Sequence, residues 1–115
     1  MSDRGRLDRL VQVSALKRDL ALADLSKAAL ARDRSRAQLA ALDRESPPTD
    51  LPALADQQVR LAYRHWADRR RAELNLILAR QTVDWLARRD AAAQAFGRAE
   101  VLGKLALRHP GSGGA

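Results

Sequence analysis

Two adjacent prolines, Pro47 and Pro48, constrain this chain more than any other feature. They sit in the run RESPPTDLP over residues 44–52. A proline lacks the backbone N–H and its ring clashes with the preceding turn, so no helix passes through this pair. Ser46, next to a proline, is pushed out of the α region. Asp50 is a good N-cap, and Pro52 falls in a first helical turn, where a missing N–H costs little. On either side lie long stretches with no internal proline. They are dominated by Ala, Leu and Arg, all strong helix formers. The spacing predicts helix 1 over about 4–45 (starting at Arg4 or Leu7), a turn at 46–50 and helix 2 over about 51–108. Gly97 and Gly103 weaken the end of helix 2. The tail from Pro110 to Ala115 reads as disordered.

So short a connection favours antiparallel neighbours. The expected fold is therefore all-α: one domain over 1–109, a two-helix antiparallel coiled-coil hairpin with a longer C-terminal helix. At 1.5 Å per residue the helices would be about 60 Å and about 85 Å long. A turn centred near residue 48 puts residue 4 opposite residue 92. The stretch from Ala93 to Arg108 would then project beyond helix 1 as a single helix.

Composition narrows the class. Aromatic residues make up 3% of the 115 and charged residues 30%, too poor a mixture for a large globular core, while 46% apolar is too rich for a plain disordered tail. There is no cysteine, which removes disulfide frameworks and thiolate metal sites. The first residues hold no uninterrupted apolar stretch of signal-peptide type, and nowhere do 18 apolar residues run together, so a cytoplasmic protein is expected. The net charge of +7 is interspersed with acids along the chain, the pattern of a solvated helix face more than of a nucleic-acid arm.

On helix 2, Tyr63, Leu74, Trp85, Phe96 and Leu107 recur every eleven residues, close to three whole turns, which favours a straight or weakly right-handed pairing. On helix 1 there are two apolar lines. One runs through Val13, Leu16, Leu20, Leu30 and Leu42. The other holds Leu7, Leu10, Val11, Leu25, Ala29 and Leu39. A two-helix hairpin buries only one of them, and the second is either a binding face or plain exposed helix. The seam is expected at Leu16, Leu20, Leu74, Leu78 and Trp85.

Candidate chemistry is sparse. His65 and His109 are far apart and no HExxH spacing exists, so no metal site is expected. No phosphate loop or catalytic triad can be assembled, and a thin helical pair has no pocket that excludes water. The expectation is a protein with neither enzymatic activity nor cofactor. Arg69, Arg70 and Arg71 point in different directions around a helix and are placed to pair with Asp68, Glu73 and carboxylates of helix 1.

The segment Ala95-Phe96-Gly97-Arg98-Ala99-Glu100-Val101-Leu102-Gly103-Lys104-Leu105, with the opening of helix 1 from Leu7 to Leu25, resembles the FliJ family. These proteins, with their YscO relatives, are the central stalks of flagellar and type III secretion export ATPases. The resemblance implies a stalk whose projecting end enters an ATPase ring and links it to the membrane export gate, with export chaperones as further partners. It implies that Phe96, Val101, Leu102 and Leu105 supply apolar contact with the ring, and that Arg98 and Lys104 meet acidic pore residues. Leu39, Leu61 and Tyr63 would face the gate. Two other classes stay open: a nucleic-acid-associated basic helical protein, and a self-associating coiled-coil scaffold.

Overall fold

The computed structural model describes residues 2–45 and 50–108. They form two helices, α1 (Asp3–Arg44, 42 residues) and α2 (Ala53–Arg108, 56 residues), and no strand occurs among the described residues. The two long helices pack against each other. Most of the expected turn (Ser46–Thr49) and the tail from His109 lie outside the described residues.

Local chemistry sets the helix ends. Ser2 caps α1: its Oγ accepts from Gly5 N–H at 3.2 Å and its carbonyl from Arg6 N–H at 3.2 Å. α2 begins two residues later than the sequence suggests. Pro52 is its cap, with its carbonyl accepting from Asp56 N–H at 2.8 Å, and Asp50 lies outside the helix. Asp56 suits the positive end of α2 and also accepts from Arg60 at 2.8 Å. α2 runs unbroken through Gly97 and Gly103. At its far end, Arg4 of α1 donates to the Ala106 carbonyl at 2.6 Å, satisfying a last-turn acceptor that α2 itself cannot.

The chain divides into two compact units. Unit 1 joins α1 up to Ala29 with α2 from Asp84, and unit 2 holds Leu30–Val83. In unit 1 the shielded α1 positions are Arg4, Leu7, Val11, Ser14, Arg18, Ala21, Leu25 and Ala28, alternating by three and four residues. They meet Trp85, Ala92, Ala95, Ala99, Leu102 and Ala106, which keep the same spacing on α2. In unit 2 the pattern continues through Arg32, Ser35, Leu39 and Leu42, opposite Ala67, Arg71, Leu74, Leu78 and Gln81. Leu74 is the best buried large side chain, at 2% exposure.

This seam differs from the expected one in three ways. First, on α1 it takes Leu7, Val11, Leu25 and Leu39 from the second line and Leu42 from the first, while Leu10 of the second line is exposed. Leu16 and Leu20 are exposed, at 63% and 67%. The chosen line carries arginines at positions 4, 18 and 32, two heptads apart, and serines at 14 and 35. Each of those arginines reaches α2: Arg4 to Ala106, Arg18 over the Phe96 ring at 5.8 Å, Arg32 to Thr82 Oγ1 at 3.2 Å. Ser35 donates to Gln81. Polar groups answered across the helices make this line usable as a seam, although it looks less apolar in sequence.

Second, burial follows the heptad period, not the eleven-residue one. Tyr63 is half-buried, Leu74 and Trp85 belong to the seam, but Phe96 and Leu107 rotate out and are exposed. Alanines at 92, 95, 99 and 106 take the seam there, since small side chains let two helices approach closely.

Third, the register is displaced. Arg4 meets Ala106 instead of residue 92, about four helical turns further along α2. Asp24 meets Arg88 within unit 1, and Asp43 meets Arg71 within unit 2. The end of α2 therefore does not project past α1.

Candidate protein-docking groove

In unit 1 the two helices leave an open groove of about 580 Å³. Its α1 wall is Leu10, Val13, Ser14 and Lys17; its α2 wall is Gln94, Ala95, Gly97, Arg98, Val101 and Leu102. The groove exists because the seam is narrow here. Ala95 is the small side chain among the lining residues, and a Cβ built on Gly97 would meet nothing within 4 Å. The larger apolar side chains stand at the edges, Leu10 53% and Val101 58% exposed. Ser14 is buried in the floor with its hydroxyl donating to the Val11 carbonyl at 2.8 Å, so it asks for no further partner.

Lys17 and Arg98 are the two charged groups in the walls, and they have the same sign. Among the described residues neither is in an ion pair. Their neighbours differ. Arg88 is held by Asp24 and Asp84 at 3.4 and 3.3 Å, and Lys104 by Glu100 at 3.1 Å.

Of the six residues assigned to the ATPase ring by resemblance, three line this groove and three do not. Arg98 and Leu102 line it with Val101. Leu105 is exposed on α2 one turn beyond Val101. Phe96 is turned to the other side, beneath the Arg18 guanidinium. Lys104 is occupied with Glu100. Leu10, Val13 and Lys17 were not singled out by the sequence as partners of Val101 and Leu102. Only the register brings them there, and the exposed line on α1 was the one available hint.

Leu39, Leu61 and Tyr63 belong to unit 2. Leu39 is half-buried in the seam, Leu61 is exposed, and Tyr63 stacks obliquely on Trp66 with ring centroids 5.6 Å apart. A second, polar hollow of about 310 Å³ adjoins Tyr63, lined also by Leu42, Asp43, Arg60, Arg64, Ala67, Asp68 and Arg71. Most of its charges answer one another: Arg71 binds Asp43 and Asp68 at 3.0 and 3.1 Å, and Arg60 binds Asp56. The Tyr63 hydroxyl and Asp56 Oδ1 are buried with no hydrogen-bond partner. The triple-arginine run behaves as its helical spacing suggests, with Arg70 on Glu73 at 3.3 Å and Arg71 on Asp68 and Asp43. Asp68 is thus engaged by Arg71, and no hydrogen bond joins it to His65 among the described residues.

Among the described residues no cluster of three or more His, Asp or Glu side chains could hold a metal ion, and no helix is long and apolar enough to cross a membrane. No known protein family, curated protein or solved structure matches this chain.

Proposed function

We infer that this chain is a non-enzymatic helical adaptor, an antiparallel two-helix coiled-coil hairpin that works by docking other proteins. The observation that carries this reading is the open apolar groove of unit 1, edged by Leu10, Val13 and Val101 and rimmed by the unpaired Lys17 and Arg98. Exposed apolar surface gathered in a groove with a polar rim is the anatomy of a protein-binding site.

The narrower proposal is a cytoplasmic stalk of a flagellar or type III export apparatus. Its ATPase ring would be engaged by the region of Phe96, Arg98, Val101, Leu102, Lys104 and Leu105, and its export gate by Leu39, Leu61 and Tyr63. Support comes from the resemblance of Leu7–Leu25 and Ala95–Leu105 to FliJ-family helices, and from the exposure of Phe96, Val101 and Leu105. The mode of engagement is not a bare projecting helix, since Arg4 holds Ala106. Contact with a ring would use the paired ends of both helices.

Deleting residues 93–108 is therefore a poor test, because it also strips α1 of its partner. Point substitutions at exposed positions are better. The full chain is expected to co-purify with the hexameric ATPase of a type III export system, and the double substitution Phe96→Ala, Leu105→Ala to weaken that complex about tenfold, or 1.4 kcal/mol. Failure of the unaltered chain to bind such an ATPase would sink the export reading.

A further inference from the structure

We propose that the unit 1 groove receives a short amphipathic helix whose flank carries carboxylates. The proposal deepens the adaptor reading and rests on it, but does not require the partner to be an export ATPase.

The shape argues for a helix. The walls run from Leu10 to Lys17 on α1 and from Gln94 to Leu102 on α2, each about two helical turns, or roughly 10–12 Å. Between them the floor is low at Ala95 and Gly97, with open space above Gly97. A helix laid along such a groove would present apolar side chains at i, i+3, i+4 and i+7 to Leu10, Val13, Val101 and Leu102.

Charge selects among possible occupants. Lys17 and Arg98 form a rim of one sign, with no carboxylate among the lining residues. Arg4, Arg18, Arg88 and Arg89 of unit 1 have carboxylates supplied within the chain, and Arg6, Arg9 and Arg108, which do not among the described residues, lie outside the groove. A helix with Glu or Asp beside its apolar face completes these two cations with charge-assisted hydrogen bonds. A second copy of this chain, seated groove to groove, would bring two Lys17–Arg98 rims together with no acid in either wall, which is repulsive. A single-stranded nucleic acid would want aromatic platforms for its bases, and the lining contains none.

The test is fluorescence anisotropy of the full chain with labelled synthetic peptides of about 15 residues, long enough to populate a helix. One peptide is amphipathic with Glu flanks; the other has the same apolar face with Lys flanks. The Glu peptide is expected to bind at least about tenfold more tightly, with the margin shrinking as salt is raised. Lys17→Glu with Arg98→Glu should reverse the preference. Leu10→Ser with Val101→Ser should weaken both peptides while circular dichroism stays unchanged, since both side chains are largely exposed.

Three outcomes would overturn the proposal: no binding of the Glu peptide, equal binding of the two peptides, or a concentration-dependent dimer that Leu10→Ser with Val101→Ser abolishes. The last would make the groove a contact between copies. The two readings fail separately. Peptide binding as expected without ATPase binding retains the groove and removes the export reading. ATPase binding that ignores the Lys17→Glu, Arg98→Glu reversal, with no peptide binding, does the opposite.

Discussion

At the scale of single residues, Leu74 carries an outsized share of the packing. The buried apolar residues among those described are Leu74, Leu42 and three alanines, Ala28, Ala67 and Ala92. With so little large apolar surface removed from water, truncating the best-buried side chain is costly. Leu74→Ala should lower unfolding free energy by about 3 kcal/mol, from the lost transfer energy and the cavity left behind. Leu20→Ala, at a position 67% exposed, should change it by less than about 0.5 kcal/mol. Urea titration of the two variants checks both. Equal losses would mean that α1 packs through its Leu16–Leu20 line after all. The surface ion pairs weigh less: most are between exposed side chains, worth up to about 1 kcal/mol each.

At the scale of the element, both helices owe their existence to local preference. Ala, Leu and Arg favour the helix, and Pro47-Pro48 forbid continuity. These features were legible in the sequence because each acts within a few residues. The weak points of α2 were equally legible, yet the helix runs through them. A Cβ at Gly97 or Gly103 would meet nothing within 4 Å. Gly97→Ala and Gly103→Ala should therefore each stabilise the chain by about 0.5–1 kcal/mol, through lower backbone entropy in the unfolded state. Thermal melting followed by circular dichroism should show a rise for each and a near-additive rise for the pair. A fall at Gly103 would reveal close packing against that backbone. The seam face was harder to read. Phe96 and Leu107 suggested themselves by size and spacing, whereas Ala92, Ala95, Ala99 and Ala106 form the seam because they are small.

At the scale of the whole molecule, the register between the helices is what creates the candidate site. Arg98, Val101 and Leu102 were picked out along the sequence, but as the end of a lone helix. Their neighbours Leu10, Val13 and Lys17 became visible only once Arg4 was seen against Ala106. The chain has no cysteine, so an engineered pair gives an unambiguous report. Asp24→Cys with Arg88→Cys should be bridged within one chain by a short bifunctional maleimide, since the contact at 3.4 Å places the two positions within such a linker's reach. Arg4→Cys with Ala92→Cys, the pairing of a tight turn, should stay unbridged. Mobility on a non-reducing gel distinguishes the two, and the reverse pattern would restore a free end to α2.

The sequence by itself determined that the chain is helical, where it breaks and that its surface is basic, because propensity, proline chemistry and charge are properties of short segments. Only the tertiary structure decided which line of α1 is covered, how far one helix is shifted along the other and that a groove opens in unit 1. Those choices compare whole faces. Arg4, Arg18, Arg32 and Ser35 hold seam positions because the Ala106 carbonyl, Phe96, Thr82 and Gln81 stand opposite to receive them, and no local pattern encodes what stands opposite.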